Sequence, residues 1–235
     1  MAIDDLPLPV VNFLNVIGVP WPYIDEDQVS QFATVVRQFA VAVQTTHDDA
    51  TRTVADIAAA YRGSATDAMT SGWAKLSARH VDELVDGCHA LSDALDVAAG
   101  YIVAQKAEAV AVLVGMAAAF VADQAAAVAT FGIAETAAPL IVEAAERLVK
   151  SLVMDLEQHV AGKVVEAAAK PLFAKVEAAF SGLDWSQSGA RAEEPGGISL
   201  DAEVALEHIT RLQTHAGTMR GHGTQFSMAI AGLGF

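Results

Sequence analysis

The side chains best suited to chemistry in this chain are seven histidines, one cysteine and a run of acids at Asp25, Glu26 and Asp27. His208, His215 and His222 recur at seven-residue steps. Two ligands of one ion on a helix sit at i and i+4, whereas seven residues separate side chains by about 10 Å, so these read as seam or solvated histidines with no metal site. His47 and His80 fall on or near long apolar stripes and read as residues that border the seam, the alternative being that their protonation loosens packing at acid pH. Cys88 has no second cysteine, no ligand spacing and only His89 as a cationic neighbour, which makes it a small core residue. The stretch Asp184-Trp185-Ser186-Gln187-Ser188-Gly189 begins with an acid where a nucleophile elbow needs glycine, and no strand feeds it. Gly217, Gly221 and Gly223 lack the Lys-Ser/Thr of a phosphate loop, so they read as a flexible tail. The acids at 25–27 favour a helix N-terminus through the helix dipole. No catalytic, cofactor-binding or metal-binding residue emerges, and the chain is expected not to be an enzyme.

The elements that would carry these residues follow from composition and period. With 14 Lys+Arg against 29 Asp+Glu, the net charge of −15 is repelled by phosphate backbones, which excludes nucleic acid as a partner. The 235 residues suffice for a core without disulfides, and no segment alternates by two, so an all-α fold is expected. After Pro20-Trp21-Pro22, Asp25 and Gln28 form a capping-box pattern. Val29, Phe32, Val36, Phe39, Val43, Ala50, Val54, Ile57 and Tyr61 then mark a helix over about 27–62, roughly 50 Å long. Gly63 closes it in a left-handed cap, and Ser64 with Asp67 restarts a helix whose stripe runs from Ala68, Met69 and Trp73 through Leu76, His80, Leu84, Cys88, Leu91, Leu95 and Ala98 to Ile102. So short a connection makes the two an antiparallel hairpin over about 27–106.

A hydrophobic middle helix over 109–130 is apolar on every side, as expected of a helix that others surround. Its length would nominally span a bilayer, but alanine gains little from lipid and Asp123 near its middle opposes insertion, so membrane contact is not favoured. Amphipathic helices over 137–180 follow, starting at Thr136 and Pro139 and interrupted at Pro171. These elements make one domain over 1–180. Residues 181–197 read as a linker, and 198–235 as a short helix from Leu200 to about Ala216, capped by Ser199, with a flexible tail. The first residues carry acids and no basic region, so a cleaved signal peptide is not expected.

Several features together are similar to a known family. Tyr61-Arg62-Gly63 followed by Ser-Ala-Thr-Asp-Ala-Met resembles the WxG turn of small ESX-secreted helical hairpins, with Tyr61 in place of tryptophan and Trp73 in the following helix. The frame around it is LPxPxxxFLxxIGxPWPxxDED, including Trp21, Pro22, Asp25, Glu26 and Asp27, then the hairpin, a hydrophobic middle and SGLDWS with Asp184 and Trp185. This order resembles the WxG/ESX-like N-terminal domain of actinobacterial type VII-secreted polymorphic toxins of the outer-membrane channel-and-toxin type, over about 6–188. The resemblance implies a non-enzymatic secretion-targeting and protein-interaction module. Its implied partners are a WxG-type hairpin or a second copy of itself, the secretion machinery, and a toxin or immunity protein; the implied route is from cytoplasm to envelope or exterior without a cleaved signal. About 47 residues follow Ser188, too few for a typical toxin domain. Tyr23-Ile-Asp-Glu-Asp27 fits the family's Tyr-xxx-Asp/Glu secretion spacing but precedes the hairpin instead of following it, and reads as coincidence. Two alternatives remain open: a membrane-inserting, channel-like protein, and a stand-alone chaperone or adaptor for a separately encoded toxin.

Overall fold

A computed structural model describes residues 5–22, 24–76, 80–130, 137–164 and 201–233. Among them the chain is all-α, with six helices and no strand: α1 (Leu8–Ile17), α2 (Glu26–Ala60), α3 (Ser64–Leu76), α4 (Asp82–Ala129), α5 (Ala138–Val164) and α6 (Ala202–Ala231). The helices contribute to two compact units. Unit 1 holds residues 1–31 and 94–165; unit 2 holds 32–93 and 166–234. The expected pieces around Pro171, the linker over 181–197, and Asp184 and Trp185 lie outside the described residues.

Helix α1 carries no polar cap, but proline in its first turn is pre-set for helix, and Val10, Phe13 and Leu14 at i, i+3 and i+4 bury one face. It ends at Gly18, whose φ of 72° and ψ of 24° form the left-handed cap, with Val19 N–H donating to the Leu14 carbonyl. This left-handed cap closes α1, and not α2 at Gly63 where one was expected.

Burial on α2 follows Val29, Ala33, Val36, Ala40, Val43, His47, Ala50 and Val54, strict steps of four and three. The expected stripe ran through Phe32 and Phe39, but small alanines hold those core positions, and the two phenylalanines flank them half-buried. Asp25 caps the helix, accepting from Asp27 N–H at 2.9 Å and Gln28 N–H at 3.4 Å. Gln28 Oε1 has no partner, so only half of the expected capping box is made.

Of the arm expected as one helix from Ser64 to about 106, the described residues give α3 and, preceded by a wide π-type turn at 80–81, α4 from Asp82. Helix α4 then runs without a break past Lys106 to Ala129, where a separate middle helix was expected. Its seam passes through Val85, Cys88, Ser92, Leu95, Ala99, Ile102, Lys106, Ala109, Leu113 and Ala117. This is one position away from Leu84 and Leu91 of the expected stripe.

The C-terminal helix, at 30 residues, is nearly twice the expected length. Asp201, not Ser199, caps it, accepting from Glu203 and Val204 N–H, and the helix carries Gly217, Gly221 and Gly223 in its interior, where a flexible tail was expected.

Candidate interaction surfaces

Within unit 1 the residues around the start of α2 form a buried polar knot. Trp21 and Pro22 are buried, and Glu26 opens α2 with its carboxylate 2.7 Å from the Lys106 ammonium. Lys106 is 1% exposed, occupies a seam position of α4, and also donates to the Ile24 carbonyl at 2.5 Å. Burial pushes its pKa below the usual lysine value, against the opposing pull of Asp25 and Asp27. Asp25 and Asp27 are exposed. Of the three clustered acids, one is thus an ion-pair partner in the core and Asp25 is a cap.

The same unit presents an apolar surface. On α4 beyond Ala109 only the narrow stripe through Leu113 and Ala117 is buried, while Val121 is 67% and Val128 78% exposed. Among the described residues the expectation that other helices surround this segment is not met: Val112 and Val114 are each 42% exposed as well. Alanine and valine on the outer face find no covering element among the described residues, which leaves a contiguous apolar surface there. Asp123 is the charge in that stretch, and its carboxylate accepts from Ala137 N–H at 2.8 Å and Ala138 N–H at 3.1 Å, which caps α5. Phe13 of α1 packs on Phe120 with ring centroids 5.4 Å apart. Tyr101 stacks on His159 and donates to Asp155 at 2.5 Å, and that hydrogen bond raises the phenol pKa.

The turn lies in unit 2. Helix α2 ends at Ala60, and the Gly63 carbonyl accepts from Thr66 and Asp67 N–H, so Gly63 starts α3 instead of closing α2. Its φ of 156° is positive but is not the left-handed helical cap. Tyr61 is half-buried and its hydroxyl donates to the Asp201 carbonyl at 3.1 Å. Trp73 on α3 donates through Nε1 to Thr51 at 2.9 Å and stacks on the buried His47 at 5.4 Å. The two aromatic residues of the turn therefore each brace α2 or its neighbour through a polar tip, as an amphipathic ring does at a half-wet surface.

Helix α6 packs along α2 in antiparallel order. Phe226 stacks on Phe39 at 4.4 Å, His222 is hydrogen-bonded to Thr46 at 2.9 Å, and His215 to Thr53 at 3.3 Å. His208 is buried with Nδ1 unpartnered. The seven-residue histidine spacing is thus a helical seam, and among the described residues no group of three or more His, Cys, Asp or Glu converges as a metal site. Sequence reasoning missed this face because it ended the helix near Ala216; the histidine period itself, continued to His222, was the signal for a longer one. Cys88 is buried, and its thiol is pushed up to about 11 by desolvation.

An all-α chain with long seamed helices, a short aromatic-glycine turn and an uncovered apolar face has the makings of a helical interaction module. The WXG100 like domain matches residues 5–148, and the chain belongs to that family. No curated protein and no solved structure matches it. The match takes in α1 to α4 and the first part of α5, and leaves α6 outside.

Proposed function

We propose that this protein is a non-enzymatic targeting and interaction module of a type VII-like secretion system, of the kind that forms the N-terminal domain of polymorphic toxins. Its apolar surface on α4 recruits a WxG-type helical hairpin or a second copy of the chain, and the assembly is presented to the secretion machinery, leaving the cytoplasm without a cleaved signal peptide. A toxin or its immunity protein is a further partner of such a module. The observation that carries the reading is the uncovered face of α4 inside the family-matched region: a long helix with buried Leu113 and Ala117 on one side and exposed Val121 and Val128 on the other. Light scattering on the full chain, alone and co-expressed with small hairpin proteins from neighbouring reading frames, tests it. A defined complex lost in Val121→Glu/Val128→Glu, with helicity unchanged, is the expected result. A chain that stays monomeric with every such partner, and is not exported, refutes it.

The same face favours one second reading, insertion into a bilayer, because α4 is long and apolar enough to cross a membrane and is neither mostly buried nor near the N-terminus. Asp123 opposes it, since a bare carboxylate at bilayer depth costs about 2.5–3.5 kcal/mol or more. Dye release from liposomes at low protein concentration separates the two: release supports insertion, and intact vesicles support the docking reading.

A further inference from the structure

Helix α6 is outside the matched family region, yet it lies on α2 within it. Its inward residues are Ala205, His208, Leu212, His215, Met219, His222, Phe226, Ala229 and Leu233, a seven-residue repeat in which every second seam position through His222 is histidine. Of these only His208, and Leu233 just beyond the helix end, are buried; the others are half-buried. The seam of α2 itself, Val29 to Val54, is buried throughout. Between the two helices an open cleft of about 530 Å³ remains, lined by Asp49, Arg52 and Asp56 on α2 and by Thr210, Arg211 and Thr214 on α6. A polar residue at a seam position fixes register at the expense of stability, and the solvent-open cleft adds no apolar contact between the two helices. The helix is therefore held in a defined register by weak contacts.

We infer that α6 is an exchangeable arm: it occupies in cis a face of α2, marked by Phe39, Thr46 and Thr53, and yields that face to a partner helix. The partner that fits is an amphipathic helix with an aromatic or large apolar side chain and hydrogen-bonding groups on one seven-residue stripe, the chemistry α6 already supplies. Use of this face by a partner rests on the interaction-module reading; the arm's exchangeability does not.

The test uses the full chain and, as probe, a fluorescent synthetic peptide of residues 201–233. Hydrogen exchange in the wild type is expected to run at least a hundredfold faster in α6 than in α2 between Val29 and Val54. The variant His222→Ala/Phe226→Ala, with α2 protection retained, is expected to bind the peptide at least tenfold more tightly than the wild type, whose own arm competes. Ile209→Asn, on the exposed side of α6, should leave both measurements unchanged. Equal protection of α6 and α2 overturns the inference, as does a peptide that binds both proteins alike or neither. If the double variant loses α2 protection, Phe226→Ala alone is used under the same criteria. Peptide exchange with no partner found in co-expression keeps the arm and removes the export reading; a partner complex with no peptide exchange does the reverse.

Discussion

Replacing Glu26 by leucine asks what the buried pair with Lys106 contributes. The two groups are 2.7 Å apart with side chains 2% and 6% exposed. At an effective dielectric of about 20 their attraction is about 6 kcal/mol, and the loss of hydration of two ions is of similar size, so the intact pair is close to neutral in net stability. Glu26→Leu removes the carboxylate from a buried ammonium while the Ile24 carbonyl stays in place, and a cost of about 3–5 kcal/mol is expected. Glu26→Leu/Lys106→Met removes both charges and should recover most of it, less about 0.5 kcal/mol for the acid lost from the first turn of α2. The assay is urea unfolding followed by circular dichroism, run as a double-mutant cycle. The pH dependence supplies a sign check: the folded-state pKa of Lys106 is lowered, so the unfolded chain binds more protons in the window between that pKa and about 10.5, and stability gains from this group as pH rises through it. That gain should be absent in Lys106→Met. A Glu26→Leu protein as stable as wild type, or a double variant weaker than either single one, refutes the reasoning.

The remaining expectations concern individual groups. Tyr101 should ionise above its ordinary value of 10.0 when followed by ultraviolet absorbance; its bond to Asp155 favours the protonated phenol, so the contribution is present at neutral pH and lost as pH rises through the folded pKa, and Asp155→Asn should lower the titration. Cys88, with a thiol pKa of about 11 in place of 9.0, should have roughly a hundredfold less thiolate at pH 8 and react with iodoacetamide only after unfolding in urea. Asp123→Ala should cost about 0.5–2 kcal/mol and speed amide exchange at 137–140, since it uncaps α5; unchanged exchange there would show the cap to be idle. Gly63→Val should cost about 1–3 kcal/mol, because β-branched residues avoid positive φ, and a melting temperature equal to wild type would contradict the backbone geometry.

Most of the helical architecture was legible in the sequence because three- and four-residue steps dominate it, but the choice of stripe was not. Phe32 and Phe39 outweigh Ala33 and Ala40 in hydrophobicity, so a reading by apolar size prefers the flank to the core. Close approach of helices needs small side chains, and that is a tertiary demand. Lys106 illustrates the same limit: a lysine marks the end of an apolar pattern unless its carboxylate partner, eighty residues earlier, is known. Helix α1 was overlooked although Pro9, Val10, Phe13, Leu14 and Gly18 contain its start, face and stop. The exposed side of α4 could not be read at all, since an apolar run looks the same whether neighbours cover it or not. Tyr61 and Gly63 lie between α2 and α3 and Trp73 lies on α3, and their hydrogen-bond partners, as distant as Asp201, are not readable from local sequence.

The pairing of α6 with α2 also has a consequence for the order of events on the ribosome. Tyr61 and Asp201 are 140 residues apart, and Thr46 and His222 are 176 apart. Chain growth at about 5–20 residues per second puts some 7–35 seconds between the emergence of α2 and that of the helix that will cover it. The contacts within unit 1 that join α4 to α5 span far fewer residues, 14 for Asp123 and Ala137 and 54 for Tyr101 and Asp155, and close while synthesis continues. Throughout that interval the Phe39, Thr46 and Thr53 face of α2 is open to whatever helix is at hand. Under the exchange proposed above, a partner helix already folded would meet the nascent chain before its own C-terminal helix exists to compete.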